Sequence, residues 1–444
     1  MILFVCYSHE PEGGGRYGEG VLARAMQPAP PGGSPKRTNP ANAGTTADQS
    51  TLKVHLPNGG FNVVRASAEE DVRSVLRLLA SRLATGDRVY ASCYALRARK
   101  LNTGKIRWIH QDTPVSELLS RWGVAEWRLE LRVRYLPASL RSLQDADRVT
   151  FHYYYDQVRH DYLNANHPID QELAIQICCL EIKIFCKDIA TDKKFNVECF
   201  EKDFGLHKFL PKPVLDAVKP KVLKKAIQQQ FKKVAHMSDT ECMLKYLETM
   251  HTHYGYDRET FTGALGIGWA IPVELAIGPD IDISYVSHKA GEPPEYCRVA
   301  SFADVLALHT LRSPCTIQPP QGGSCGKAAL QLRVKGASET LTITVSSVEA
   351  AESLADLVDG YCRLVTDSQT SLWNRTTTIC KQLSCQCKKE SSSKSSEGSE
   401  GREGKESKES REGREWSGVA PTLLSEDYAE IVDDDADYST PAGI

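Results

Sequence analysis

The chain has 444 residues, with 54 basic and 57 acidic side chains and a net charge of −3. That length holds two to four domains of ordinary size, and the balanced charge excludes the nucleic-acid partner that a strongly basic chain would suggest. No run approaches the ~20 apolar residues of a membrane span. The fourteen cysteines are scattered without paired CxxC motifs, which points to reduced thiols rather than a disulfide frame or a zinc site.

Residues 1–49 begin with an apolar stretch, Ile2 to Tyr7, that is too short and lacks the basic leader of a signal peptide. The rest of the segment is rich in Gly, Pro, Ser and Ala and is expected to be disordered. Order begins near Thr51. Leu52, Val54 and Leu56 alternate with polar residues, Asn58-Gly59-Gly60 offers a turn, and Phe61 to Arg65 returns as a strand. Val72, Val75, Leu76, Leu79 and Leu83 recur at helical spacing. Strands are expected around Tyr90–Leu96, Ile106–Ile109 and Leu129–Tyr135. Two strands, a helix and further strands describe a ubiquitin-like roll over residues 50–137.

From about 138 to 265 the helical period dominates. Gln171 to Phe185 reads as a buried helix, and Pro220 can occupy the first turn of another. Between Lys208 and Lys233 there are eight lysines and one acid, Asp216. On a helical wheel Leu223, Ile227, Phe231 and Val234 share one face. Lys221, Lys225 and Lys232 stack on another, with Lys224 close by and Lys219 at the entry. Stacked like charges repel by a few tenths of a kcal/mol per pair, so the cluster suggests an anionic lipid or acidic protein partner. The alternative is a solvated, lysine-rich helix face.

The third region, residues 266–376, alternates at Val273, Leu275 and Ile277 and again at Leu330, Leu332 and Val334. After a turn at Lys335-Gly336-Ala337 come Leu341, Ile343 and Val345. Ser346 with Glu349 reads as a capping box for a closing helix whose inner face is Leu354, Leu357, Val358, Tyr361 and Val365. Strand hairpins closed by one helix describe a pleckstrin-homology-like sandwich. The fold class is therefore α+β and multidomain.

Residues 377–444 read as a disordered linker. Cys387 to Glu415 carries eight bases and eight acids among Ser and Gly, and Ser425 to Asp437 has acids and no base. Within the acidic stretch Tyr428 is followed by Ala429, Glu430 and Ile431. Phosphorylation there would add about two negative charges for an arginine pocket, and Ile431 would offer an apolar side chain to a second pocket. Asp203-Phe204-Gly205 spells a kinase metal-binding triplet, and Arg159-His160-Asp161 faintly echoes a catalytic loop. Neither has the upstream glycine-rich loop and strand lysine that phosphoryl transfer needs. His251 and His253 suggest ordinary histidines rather than ligands. No catalytic residue, metal or cofactor is called for.

Several blocks resemble the FERM region of the focal adhesion kinase family: Phe151 to Val158, Ile169 to Ala174, Cys179 to Ile182, Val273 to Pro279, Ala355 to Leu364 and Asp427 to Ile431. The resemblance implies a three-lobed FERM clover of ubiquitin-like roll, acyl-CoA-binding-protein-like helical bundle and pleckstrin-homology-like sandwich. It implies a regulatory module that restrains the family's kinase domain in cis and meets phosphoinositides through Lys219, Lys221, Lys224 and Lys225. It also makes Tyr428 an autophosphorylation position that recruits Src-family kinases, with Tyr438 a second linker tyrosine. Receptor or integrin-complex cytoplasmic tails become expected partners. The expected location is the cytoplasm, focal adhesions and the inner face of the plasma membrane, with the nucleus as a further compartment. The sequence ends about where the family's kinase domain would begin, and the linker lacks the family's proline-rich site. Two alternatives stand beside this reading: a fragment of an active tyrosine kinase with its catalytic domain beyond Ile444, and a stand-alone adaptor between membrane and cytoskeleton.

Overall fold

A computed structural model describes residues 49–85, 88–165, 169–186, 195–267, 271–315 and 326–383. The first lobe is built from β1 (Gln49–His55), β2 (Phe61–Ser67), α1 (Val72–Leu83), β3 (Tyr94–Lys100), β4 (Ile106–Ile109), α2 (Val115–Arg121) and β5 (Trp127–Val133). Its sheet has the order β2-β1-β5-β3-β4, with β1 and β5 parallel. Period-2 alternation turns Leu52, Val54, Leu96, Leu129 and Leu131 to one face, where the buried stripe Val72, Val75, Leu76 and Leu79 of α1 covers them. Asp71 caps α1 by accepting from the Ser74 N–H at 2.9 Å. The short α2 adds a helix beyond the sequence expectation, because seven residues carry too little periodicity to register.

The helical lobe comprises α3 (Leu140–Ala146), α4 (Arg148–Leu163), α5 (Gln171–Phe185), α6 (Val197–Phe204), α7 (Lys212–Ala217), α8 (Pro220–Val234) and α9 (Asp239–Tyr254). Helix α5 is buried nearly all round, as its apolar run requires. A capping box does exist in the chain, but at Ser238 and Glu241, where it starts α9.

The third lobe contains β6 (Glu259–Leu265), β7 (Ile271–Gly278), β8 (Asp282–Ser287), β9 (Glu295–Ala300), β10 (Val305–Arg312), β11 (Ala328–Val334), β12 (Leu341–Val345), α10 (Val348–Thr366) and β13 (Trp373–Ile379). Its sheet runs β13-β10-β11-β12-β6-β7-β8-β9, and α10 packs against its middle strands. Four expectations need correction here. The helical lobe stops before residue 265, because Gly255 ends α9 in the left-handed region at φ 62° and β6 then pairs with β7 and β12. Folded structure continues past residue 376, because β13 pairs in parallel with β10 and Leu383 is buried with Leu311 and Ala329. The cap of α10 is Ser347, accepting from the Ala350 N–H, rather than Ser346 in a capping box. Val365 is 55% exposed, off the inner face that Leu354, Leu357, Val358 and Tyr361 share.

Polar side chains lock the lobes together. Arg134, just past β5, donates from Nε and Nη2 to Glu259 at 2.7 and 3.0 Å and from Nη1 to Asp356 of α10 at 2.5 Å. Its guanidinium also lies 4.2 Å from the ring centroid of Trp108 on β4. Next to it Tyr135 enters the third-lobe core against Tyr361, with ring centroids 5.6 Å apart. Asp359 is fully buried and accepts from Arg363 Nε (2.9 Å), the Leu372 N–H (2.7 Å) and Ser371 (3.0 Å), with His110 of the first lobe at 3.3 Å. Burial opposes ionisation of Asp359, but the hydrogen bond with His110 and the charge of Arg363 overcome it and hold its carboxyl below the usual range. On the other side, Gln157 of α4 bonds the N–H and C=O of Val133 at 2.8 Å each.

Two predictions follow from these contacts. A methyl group at residue 360 would collide with the ring of Tyr135, so Gly360→Ala should destabilise the chain by about 2–3 kcal/mol. Adding Tyr135→Leu should recover part of that in thermal unfolding, whereas no recovery would place the strain elsewhere. Asp359→Asn should cost about 3 kcal/mol at pH 7, because it leaves the buried Arg363 underpaired. The carboxylate's folded pKa is depressed, so its contribution is present above the unfolded value of about 4 and lost as the pH falls through the folded one. The gap to the parent in chemical denaturation should therefore narrow in acid, and a pH-independent gap would refute the charge argument.

Candidate functional site: the basic face of α8

Helix α8 begins at Pro220, whose missing N–H costs nothing in the first turn. Leu223, Ile227, Phe231 and Val234 are buried, as the wheel requires. Phe231 stacks on Phe195 with ring centroids 4.0 Å apart, and Gln228 bonds the Phe195 C=O (2.6 Å) and the Val197 N–H (2.9 Å). These contacts fix the rotation of the helix, and the rotation decides which lysines face solvent. At about 100° per residue, Lys221, Lys225 and Lys232 lie within a narrow stripe nearly opposite the buried face, roughly 16 Å long.

Lys219, Lys221, Lys225 and Lys232 are all exposed, and Val222 stands among them at 52% exposure. Lys224 differs. It lies on the flank toward α6, where it forms an ion pair with Glu201, and that hydrogen bond raises its pKa. The predicted five-lysine patch is thus brought together on one helix, but one of its charges is already matched. The exposed lysines can hold an extended anionic surface.

Tyr428, Tyr438, Glu430 and Ile431 lie outside the described residues. Asp203-Phe204-Gly205 is the end of α6: Phe204 packs on Phe185 and Phe200, and Gly205 closes the helix at φ 79°. Arg159 pairs with Glu181, and Asp161 with Arg132, so both residues of the apparent catalytic loop serve packing. His251 is held by the Tyr154 hydroxyl at 2.8 Å, and burial lowers its pKa. Among the described residues no cluster of His, Cys, Asp or Glu could hold a metal. Sequence reasoning passed over a polar feature of the first lobe, where Arg128, Glu130 and Arg132 share one face of β5. Their strict alternation was the available signal.

Three family profiles match the chain in succession: the FERM N-terminal domain over residues 51–137, the FERM central domain over 141–261, and the FAK1/PYK2 FERM domain C-lobe over 263–372. The inactive tyrosine-protein kinase kin-32 of Caenorhabditis elegans is 26% identical over 333 residues, covering 70% of this chain and 37% of that protein. The chain therefore spans little more than a third of that relative's length. Among solved structures, the myosin VII MyTH4-FERM MF2 domain of Dictyostelium discoideum aligns with a TM-score of 0.51 at 12% identity, over 71% of this chain and 58% of the other. The FERM and C-terminal domain complex of Drosophila Merlin gives 0.51 at 12% identity, over 71% and 96%. At those identities the likeness shows the fold. With each lobe matched in order on three packed lobes, the chain belongs to the FERM family, and its C-lobe is of the FAK1/PYK2 type.

Proposed function

We propose that this chain is the regulatory and targeting module of a focal-adhesion-type non-receptor tyrosine kinase. It binds phosphoinositide membrane and protein partners, restrains the kinase domain in cis, and presents Tyr428 to recruit Src-family kinases. It acts in the cytoplasm, at focal adhesions and at the inner face of the plasma membrane. The observation that carries the membrane part is the stripe of Lys221, Lys225 and Lys232 with Lys219, exposed on a helix whose opposite face is fixed by packing. A row of like charges without acids between them is unfavourable alone and is offset by an anionic surface, where each lysine contributes on the order of 1 kcal/mol. The exposed Val222 can meet the acyl boundary between those lysines. The FAK1/PYK2-type C-lobe supports the kinase context.

Vesicles containing phosphatidylinositol bisphosphate test the surface. Changing Lys219, Lys221, Lys225 and Lys232 together to Ala should weaken binding by about a thousandfold. Lys224→Ala alone should cost less than any of the others, because Glu201 already neutralises it. Unchanged co-sedimentation of the fourfold variant would remove this surface from the proposal.

The tyrosine part is tested with phosphopeptides and the Src-homology 2 domain of a Src-type kinase. A peptide centred on Tyr428 should bind more tightly than one centred on Tyr438, which has Pro441 in place of Ile431. Burying isoleucine is worth ~2 kcal/mol, so Ile431→Ala should cost up to about thirtyfold. Equal affinity of all three peptides in calorimetry would show that phosphate alone drives docking.

A further inference from the structure

The face of the first-lobe sheet away from α1 carries a second concentration of positive charge, on different residues and different chemistry. Arg128, Glu130 and Arg132 alternate on β5, and the register sets Arg97 opposite Glu130 and Arg99 opposite Arg128. Glu130 is the single acid inside this group. It accepts a hydrogen bond from Arg97 Nε at 2.7 Å and is in charge contact alone with Arg99 Nε at 3.2 Å and Arg128 Nε at 3.7 Å. Arg132 is paired with Asp161 of α4. Four guanidiniums thus share two carboxylates, and two positive charges are left over.

This arrangement is unfavourable as pure structure. Arg99 and Arg128 are like charges directly opposite across an antiparallel pair, which destabilises a sheet. The Nε atoms of Arg99, Arg128 and Arg132 are buried yet make no hydrogen bond, although buried donors ordinarily find partners. Arg132 is 5% exposed, so water cannot easily serve it. Burial, and then the nearby charge of Arg132, pull the pKa of Arg97 down to about 10. These side chains line a shallow cleft, open to solvent, between His55 on β1 and His160 on α4. The helical lobe forms one wall, so the cleft exists only because the two lobes pack together.

We propose that this cleft between the first and helical lobes is a binding site for a phosphate-bearing anion, held by Arg97, Arg99, Arg128 and Arg132. Planar guanidiniums match phosphate oxygens two at a time, which lysines do not. A phosphate group supplies up to two charges and several acceptors, the complement of the unmatched cations and idle Nε–H groups. The group can come from a free phosphate ester or from a lipid headgroup. The site does not rest on the lysine stripe of α8.

The full chain is titrated with pyrophosphate and with inorganic phosphate at constant ionic strength, in calorimetry, with chloride as the control. Saturable binding at one site is expected, weakened roughly tenfold or more by Arg99→Gln with Arg128→Gln. Both side chains are partly exposed (39% and 40%), so the double variant should fold. The fourfold lysine variant of α8 should bind pyrophosphate as the parent does. Glu130→Gln should bind it more tightly, and the thermal stability that this variant loses should be restored by pyrophosphate. In phosphoinositide vesicles, a loss with the arginine pair marks a headgroup as the source, and unchanged vesicle binding marks a soluble ester. Absence of saturable binding, or equal affinity of the parent and the arginine pair for pyrophosphate, overturns the proposal.

Discussion

One buried cation holds the lobes in register. Arg134 is only 1% exposed at its side chain, yet it touches β4 through Trp108, β6 through Glu259 and α10 through Asp356. A guanidinium taken out of water is costly unless its donors are matched. Here burial pushes its pKa down, but the charges of Glu259, Tyr135 and Asp356 and the hydrogen bond with Glu259 together outweigh it, so its pKa is raised rather than lowered. Because both carboxylates belong to the third lobe and Arg134 to the first, the charge is satisfied only when those two lobes are docked. Tyr135 enforces the same arrangement sterically, since it lies where α10 has no side chain at Gly360. The arginine-lined cleft depends on a different join, where Gln157 of α4 bonds Val133 and Asp161 of α4 pairs with Arg132.

Periodicity served best where one face is buried and the element is long. Helices α1, α5 and α8 stand where their apolar spacing put them, and Leu223, Ile227, Phe231 and Val234 are all inside. It served poorly at the joins. Strand β6 follows α9 after only four residues, and its Thr and Gly positions alternate too weakly to announce a change of period. Strand β13 sits in a segment of polar composition and is held by a partner remote in sequence, β10. The three-lobed class was readable because it needs only element order. The interlobe network was not, because Arg134, Asp356 and Asp359 look like ordinary surface charges until the lobes are packed.

The two basic features show how the same net charge can be built for different tasks. On α8 most of the lysines are exposed on flexible stems, and the one that leans toward α6 is neutralised by Glu201. On β3 and β5 the arginines are half or wholly buried and held in a fixed register. A loose row of ammonium groups suits a broad surface, whereas a rigid fork array suits a small group of defined shape. Local arrangement therefore carries information that the nearly neutral total hides.

The parallel pairing of β13 with β10 has a consequence for where this domain can be cut. The long helix α10 looks like a natural stop, as it closes the sandwich. Ending the chain there would strip β13 away and uncover Leu308, Leu311 and the hydrogen-bonding edge of β10. An open, apolar strand edge is a template for self-association. A soluble fragment needs to run through Leu383, and a protease that nicked the chain before Trp373 would release a sticky product rather than a tidy domain.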